Sequence, residues 1–336
     1  MEEEESSGEP APPINFQPSN IDLDPSYDVG DVDIAFDCTI STDGSGSLCN
    51  ADSGDYEFFR RLQDDGSSVG IFVVNNLSLS ESVEVEIRGD IAVALVAQET
   101  MVIDGRLFMR PGENGGSPTS GGEVIGNGLG AGEGIEGPVQ AGGGAGHCGR
   151  GGDHGDGAGG GASYGTPELV PLTGGSSGGE RNSGGGGGAL HLIAGTSIEV
   201  LTTVTVPGGG GADGGGGSGG GILIESPLVT IKGRVAANSG GGAGGDKSDG
   251  VDGQDRSNAP ASGGGQNTET PGGSGSAADV VDGGAGAATV MTDQEFGSGG
   301  GGAGWIRINT ESGLADVPGT VTPSFESGCA SQGTLG

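Results

Sequence analysis

Long tracts of glycine interrupt this chain, and they constrain its fold more than any other feature of the sequence. Glycine supplies 82 of the 336 residues and proline another 16, a content that excludes an ordinary helical or α/β enzyme core. Glycine does not recur at every third position beside proline, which excludes a collagen triple helix. The hydrophobic residues form a few short runs rich in Val, Ile and Leu, so the sequence predicts a narrow core repeated along an axis.

The hydrophobic runs share one spacing. Six hydrophobic positions at offsets 0, 2, 8, 10, 14 and 16 occur from Val93 to Met109 and again from Leu190 to Val206. The run from Ile222 to Ala237 repeats them with one residue deleted after the first pair. Two looser copies consist of Ile71, Val73, Leu77, Leu79, Val83 and Val85 at the front, and of Ile306, Ile308, Leu314, Val317 and Val321 at the back.

Each copy predicts three short strands whose alternate residues point inward, because side chains alternate between the two faces of a strand. Units of about 20 residues with this pattern are typical of a parallel β-helix, in which each strand pairs with its equivalents one coil above and below. The predicted fold class is therefore all-β, a parallel β-helix (solenoid) with long glycine-rich insertions at one corner.

Three insertions separate the repeats, at residues 112–188, 207–221 and 238–304, and each follows a third strand and precedes a first strand. They therefore leave and return at one corner of the solenoid. Either they form flexible loops, or they pack side by side as extended threefold strands of the polyglycine II type. The pure glycine runs 184–188 and 208–211 favour packing, whereas the polar segment 247–270 predicts a surface loop.

Charge and composition divide the chain into two parts and exclude several partners. Residues 1–30 predict an acidic, Pro/Ser-rich flexible segment, and residues 31–336 a single solenoid domain. The net charge of −34 disfavours nucleic acid and anionic membranes. The sequence contains no stretch of about 20 apolar residues, so no transmembrane segment is predicted.

Four cysteines, Cys38, Cys49, Cys148 and Cys329, allow three disulfide connectivities. A Cys38–Cys49 bond is favoured, because the polar, glycine-bearing stretch between them can form a hairpin or loop. Cys148 would then pair with Cys329. An even number of cysteines without a CxxC pair indicates an oxidising, extracytoplasmic location rather than a zinc site.

Several segments resemble one group of bacterial proteins. They are GGGGGALHLIAG from Gly184, GGGILIESP from Gly219, GRVAANSGGG from Gly233 and GGGGAGWIRINT from Gly299. Together with the strand-rich stretch before Gly112, they resemble the glycine-rich, repeat-bearing secreted or cell-surface proteins of myxobacteria and related bacteria. The resemblance implies export and a repetitive β architecture, and it supplies no catalytic residues. Acidic N-terminal spacers of this kind often follow the lipidated cysteine of bacterial lipoproteins, so lipid anchoring is one mode of attachment.

Two clusters contain groups that could bind metal. Asp246, Asp249, Asp252 and Asp255 are evenly spaced carboxylates among glycines, hard oxygen donors that suit calcium. The stretch GHCGRGGDHGDG, with His147, Cys148, Asp153, His154 and Asp156, is interpreted as a polar loop, with a Zn or Ni site as the alternative. His191 alternates outward between Leu190 and Leu192 and is expected to face solvent.

The predicted function is structural or adhesive. The outward strand residues give no convergent acid pair with a nearby arginine, which argues against an enzyme; they are Glu84, Glu86, Asp104, Thr203, Thr205, Thr230 and Lys232. We therefore expect an exported, non-catalytic component of the cell surface or of extracellular assemblies, which self-associates through solenoid ends or the N-terminal segment. The alternatives are a polysaccharide-binding or polysaccharide-cleaving β-helix protein and an ice-binding protein using Thr202, Thr203 and Thr205.

Overall fold

The chain is all-β with almost no helix. A computed structural model describes residues 14–23, 27–118, 126–134, 141–157, 159–255, 257–266, 268–288 and 296–336. In these residues the only helix is the 3-10 turn Phe325–Ser327. The strands are β1 (Val32–Ile34), β2 (Cys38–Ser41), β3 (Ser47–Leu48), β4 (Glu57–Leu62), β5 (Ser68–Val74), β6 (Leu77–Leu79), β7 (Glu84–Arg88), β8 (Ala92–Ala97), β9 (Thr100–Ile103), β10 (Arg106–Met109), β11 (Ala189–Ala194), β12 (Ser197–Val200), β13 (Thr203–Thr205), β14 (Gly221–Glu225), β15 (Leu228–Ile231), β16 (Arg234–Ala236), β17 (Trp305–Thr310), β18 (Thr320–Thr322) and β19 (Ala330–Thr334). Across the part of the chain described, no helix has the length and apolar character needed to cross a membrane.

The strands form three long sheets. Sheet A has the order β1-β6-β9-β12-β15, sheet B the order β18-β16-β13-β10-β7-β2-β3, and sheet C the order β19-β17-β14-β11-β8-β5-β4. All pairs are parallel except those that add β3 to β2 and β4 to β5 at one end. From β5 to β16, successive strands therefore lie in sheets C, A and B in turn, and each set of three repeats the order. This arrangement is compatible with a β-solenoid.

The strand register confirms the predicted alignment of the central repeats. Val93 pairs with Leu190, and Leu190 with Ile222. Ile198 pairs with Val229, as the one-residue deletion requires. These side chains are fully buried in one hydrophobic core that extends along all three sheets.

The register corrects the two looser copies. In the first copy Leu95 pairs with Phe72, so Phe72 and Val74 lie in the main core and the predicted Ile71 and Val73 lie on the opposite face. A shift of one residue exchanges the two faces of a strand, and both faces of β5 are buried, so alternation alone could not identify the inner one. The third strand of this copy is shifted by two residues, because Leu107 pairs with Val85 rather than Val83.

The last copy also differs at one position. Leu314, which the spacing placed inside, is 72% exposed. Asp316 bridges Thr230 of β15, and its neighbours Ala315 and Val317 pack against the core instead. The segment before Ala315 forms a turn, so strand alternation begins later than the spacing suggests.

A second hydrophobic layer covers the outer face of sheet C. Outward side chains of the sheet, including Ile71, Val96 and Ile193, are buried beneath Ile14 and Ile21. We call residues 14–23 the N-terminal strap. The strap belongs to the segment 1–30 that was expected to be flexible, and its apolar side chains Ile14 and Ile21 pack on the sheet. Residues 1–13 and 24–26 lie outside the described residues.

The three glycine-rich insertions all join a strand of sheet B to the next strand of sheet C. In their described parts they hydrogen-bond to one another: Gly216 N donates to Gly299 O at 2.9 Å, and Gly299 N donates to Gly142 O at 2.8 Å. Gly240 N of the third insertion donates to Gly217 O of the second at 3.0 Å. The described glycine segments are therefore ordered, whereas residues 119–125, 135–140, 158, 256, 267 and 289–295 lie outside the described part of these insertions.

Two disulfide bonds, one local and one between distant parts of the chain, have the pairing favoured from the sequence. Cys38 of β2 bonds to Cys49, 11 residues away, beside the antiparallel β2–β3 pair. Cys148 of the first insertion bonds to Cys329, 181 residues away and directly before β19. The second bond therefore ties the glycine segments to the C-terminal part of sheet C.

Candidate functional site

A buried ion pair lies between sheet C and the N-terminal strap. His191 of β11 and Glu225 of β14 are diagonal neighbours on adjacent strands, with 2.8 Å between Nε2 and Oε2, and both side chains are fully buried. The backbone N–H of Ser19 donates to Glu225 at 2.8 Å, its hydroxyl donates at 2.5 Å, and Asn309 donates at 2.8 Å. The prediction of a solvent-facing His191 is wrong, because the strap covers the face toward which His191 points.

The charge of Glu225 is stabilised by these contacts. Burial acts to raise its pKa, but the hydrogen bond and charge of His191 and the two hydrogen bonds from Ser19 outweigh burial and lower the pKa from 4.5 to about 2. A carboxylate with a lowered pKa stabilises the folded state most above the pKa of the unfolded chain, and this contribution is lost as the pH falls toward the folded value. Glu225 therefore fixes the strap most firmly above about pH 4.5.

We expect Glu225→Gln to lower the free energy of unfolding by about 3 kcal/mol at neutral pH, because an amide cannot accept all four hydrogen bonds and leaves buried donors unpaired. Urea titrations of the wild type and the variant between pH 2 and pH 6 measure this loss of unfolding free energy. The wild-type free energy should rise with pH across this window, and the variant should lack that part of the rise. Glu199→Gln, at an exposed ion pair with Lys232, is the matched control; an equal loss in both variants would contradict the prediction.

A second group of charged side chains lies on the outer face of sheet B. We call it the arginine face; it consists of Glu84, Glu86, Arg88, Arg106, Phe108, Arg110, Glu113 and Asp255. Glu86 forms ion pairs with Arg88, at 2.9 Å, and with Arg110. Arg106 forms ion pairs with Glu84 at 3.6 Å and with Asp255 at 2.7 Å. The prediction that outward residues bring no acids together beside an arginine is therefore wrong.

The strand register explains this convergence. Arg106 pairs with Glu84 and Phe108 with Glu86, so Arg110 follows next to Arg88 on the neighbouring strand. The repeat alignment shifted this part of the chain by two residues and concealed these neighbours. Asp255 reaches the face from the third insertion, a contact 149 residues away in sequence that no local pattern could indicate.

The pKa values of two carboxyl groups of the arginine face are shifted in opposite directions. Burial acts to raise the pKa of Glu86, but hydrogen bonds and charges from Arg88 and Arg110 outweigh it and lower the pKa. Burial raises the pKa of Glu113, and the negative charge of Glu86 adds to this effect while the two arginines oppose it. One carboxyl is therefore held as an anion beside another that is easier to protonate.

The threonines proposed for ice binding do not form an open flat face. Thr205 is 1% exposed, and Thr202 donates its hydroxyl to the carbonyl oxygen of Asp104 at 2.7 Å. Thr203 pairs with Arg106 and Arg234 on its two sides. Charged neighbours and a buried hydroxyl do not provide the regular array of exposed threonines that the sequence suggested.

Three of the four carboxylates predicted to bind calcium have separate partners. Asp246 accepts hydrogen bonds from Ser248, Asp252 accepts one from Gly210 N at 2.7 Å, and Asp255 binds Arg106. Across the described ranges, no group of three or more His, Cys, Asp or Glu side chains is placed to hold a metal ion. The structure therefore does not bring Asp246, Asp249, Asp252 and Asp255 to one point.

The His147 to Asp156 stretch is likewise divided among structural contacts. His147 is fully buried with Nδ1 2.9 Å from Gly219 O, and burial lowers its pKa to about 4. Cys148 is in the disulfide, and Asp153 accepts a hydrogen bond from Gly160 N at 2.9 Å. These side chains stabilise the glycine segments.

Comparison of the chain with protein-family models, with curated proteins and with solved structures gives no match.

Proposed function

We propose that this chain is an exported, non-catalytic structural or adhesive protein of the cell surface or of extracellular assemblies. Its body is a closed parallel β-helix, and its glycine segments form a polyglycine II-like bundle at one corner. The observation that supports this function is the mutual hydrogen bonding of segments from three separate insertions. Such a bundle adds a rigid lateral body to the solenoid, whereas a flexible linker would leave these backbone groups to water.

Close approach of the backbones supports the same conclusion. A methyl group at Gly299 would overlap the carbonyl oxygen of Gly152, and one at Gly273 would overlap that of Gly284. Disulfides fix both ends of the body and favour an oxidising compartment. Lipid anchoring is the mode of attachment that the acidic N-terminal composition suggests.

Association of copies through the C-terminal end is part of this proposal. Strands β18 and β19 are the last strands of sheets B and C at this end, whereas the edge of β15 is already hydrogen-bonded by Asp316. Leu228 and Leu314, near this edge, are 64% and 72% exposed. Open strand edges beside exposed leucines favour pairing with another copy.

Two measurements on the purified, oxidised chain test the proposed function. We expect no release of reducing ends or unsaturated products from neutral and acidic polysaccharides, and a mass in light scattering that grows with protein concentration. Turnover of any of these polymers would contradict the non-catalytic function. A monomer mass at all concentrations, with and without calcium, would remove the fibre and leave an adhesive monomer.

A further inference from the structure

We propose that the arginine face binds a neutral polysaccharide through hydrogen bonds to sugar hydroxyls. This inference rests on the proposed function, because it identifies the polymer to which an adhesive of this shape would attach.

The arginine face concentrates groups that are rare in this chain. The whole sequence has 12 lysines and arginines against 46 acidic residues. Five of the 12 lie in or close to strands β7, β10 and β16 of sheet B, namely Arg88, Arg106, Arg110, Lys232 and Arg234. Three of these five belong to the arginine face, so guanidinium donors are gathered on one small part of an acidic molecule.

The donors are held in place before any ligand arrives. The side chain of Glu86 is only 11% exposed and lies between Arg88 and Arg110, whose side chains are 46% and 58% exposed. Arg88 directs Nε and Nη2 toward Glu86. A guanidinium group has five N–H donors in a fixed plane. Arg88 therefore has further N–H groups that can donate to a ligand. A fixed side chain loses little conformational entropy on binding.

The charge of the face favours a neutral polymer. The face contains three guanidinium groups and four carboxyl groups, so the positive charges are already balanced. An anionic polymer would gain little there and would be repelled by a chain of net charge −34. Sugar hydroxyls both donate and accept hydrogen bonds, and they therefore match a face that presents both N–H donors and carboxylate acceptors.

Glu113 supplies a polar group that has no partner within the described chain. Its Oε2 atom is buried and accepts no hydrogen bond from any described residue. Buried polar atoms in native proteins nearly always have a partner. Glu113 interacts electrostatically with Arg88, Arg110 and Glu86, so the unpartnered atom belongs to the same face.

Phe108 adds an apolar surface to these polar groups. Its ring is half-buried, pairs in register with Glu86, and lies under the Arg106 guanidinium, 4.0 Å from the ring centroid. Sugars present C–H groups as well as hydroxyls, and an aromatic ring beside hydrogen-bonding groups suits both. The neighbouring residue beyond Phe108, Thr205, is buried, which limits the open face to β7, β10 and their flanks.

The test uses affinity gel electrophoresis of the full oxidised chain in gels containing dextran, galactomannan, xyloglucan or polygalacturonate. We expect at least one neutral polymer to retard the wild type, and the double variant Arg88→Ala, Arg110→Ala to weaken that binding at least tenfold. Arg234→Ala is the matched control, because Arg234 lies on the same sheet and contacts Asn258 outside the face. Melting curves verify that each variant folds.

Three outcomes would overturn the inference: no retardation by any neutral polymer, retardation by polygalacturonate alone, or equal binding by the wild type and the double variant. If the double variant does not fold, Phe108→Ser with the same Arg234→Ala control provides the comparison. Failure of glycan binding leaves the structural function intact, whereas turnover of a retained polymer would overturn that function instead.

Discussion

Replacing Gly144 by alanine is expected to lower the free energy of unfolding by about 4 kcal/mol or more. Gly144 N donates to Gly152 O and its carbonyl accepts from Gly161 N, each at 2.8 Å, while its Cα faces the carbonyl oxygen of Gly300. An added methyl group would overlap that oxygen, which belongs to backbone and cannot rotate away. The segments must separate, so overpacking and lost hydrogen bonds add together.

Gly54→Ala is the matched control for this substitution, because no atom lies within 4 Å of the position that its methyl group would occupy. Guanidinium chloride titrations compare the two variants with the wild type. We expect the Gly54 variant to remain within about 0.5 kcal/mol of the wild type. A similar small change for Gly144→Ala would show that the glycine segments are not packed as the structure describes.

We also expect a large effect from removal of the Cys148–Cys329 bond, which should lower the free energy of unfolding by about 5 kcal/mol. The bond closes a loop of 181 residues, and in the chain-entropy account the stabilisation grows with the logarithm of loop length. The double variant Cys148→Ser, Cys329→Ser should therefore unfold at a markedly lower denaturant concentration. Without the bond, the first insertion is no longer fixed to the segment that enters β19.

The Cys38–Cys49 bond provides the comparison. It closes a loop of 11 residues, for which the same relation gives about 3 kcal/mol. Cys38→Ser, Cys49→Ser should therefore be less destabilised than the variant without the long-range bond. The reverse order of stability, or equal stability of the two double variants in oxidising buffer, would contradict this prediction.

Some errors of sequence interpretation have a single physical cause. Alternation between Leu190 and Leu192 correctly directs His191 to the outer face of sheet C, but period two does not reveal what covers that face. A signal was present, because β5, β8 and β11 are almost continuously apolar, and such runs are typical of strands buried on both faces. The strap that covers them is far away in sequence.

The arginine face shows a different limit. Each of its strand residues could be assigned to an outward position from alternation, yet the grouping depends on which residue of β10 lies beside which residue of β7. A looser repeat copy does not fix that register, since a slip of two residues preserves the inner and outer faces. Asp255 joins the face only through the course of a long insertion.

The sequence by itself determined the class of the fold, the register of the central repeats and the corner at which the insertions leave. These properties follow from local periodicity and from the positions of the glycine tracts, and both can be identified without knowing which distant residues meet. Tertiary structure alone decided that the strap closes over the His191–Glu225 pair, that the described glycine segments bind one another, and that guanidinium and carboxyl groups meet on sheet B. Each of these contacts joins residues from different coils or insertions, and its free energy is gained only after the chain has brought them together.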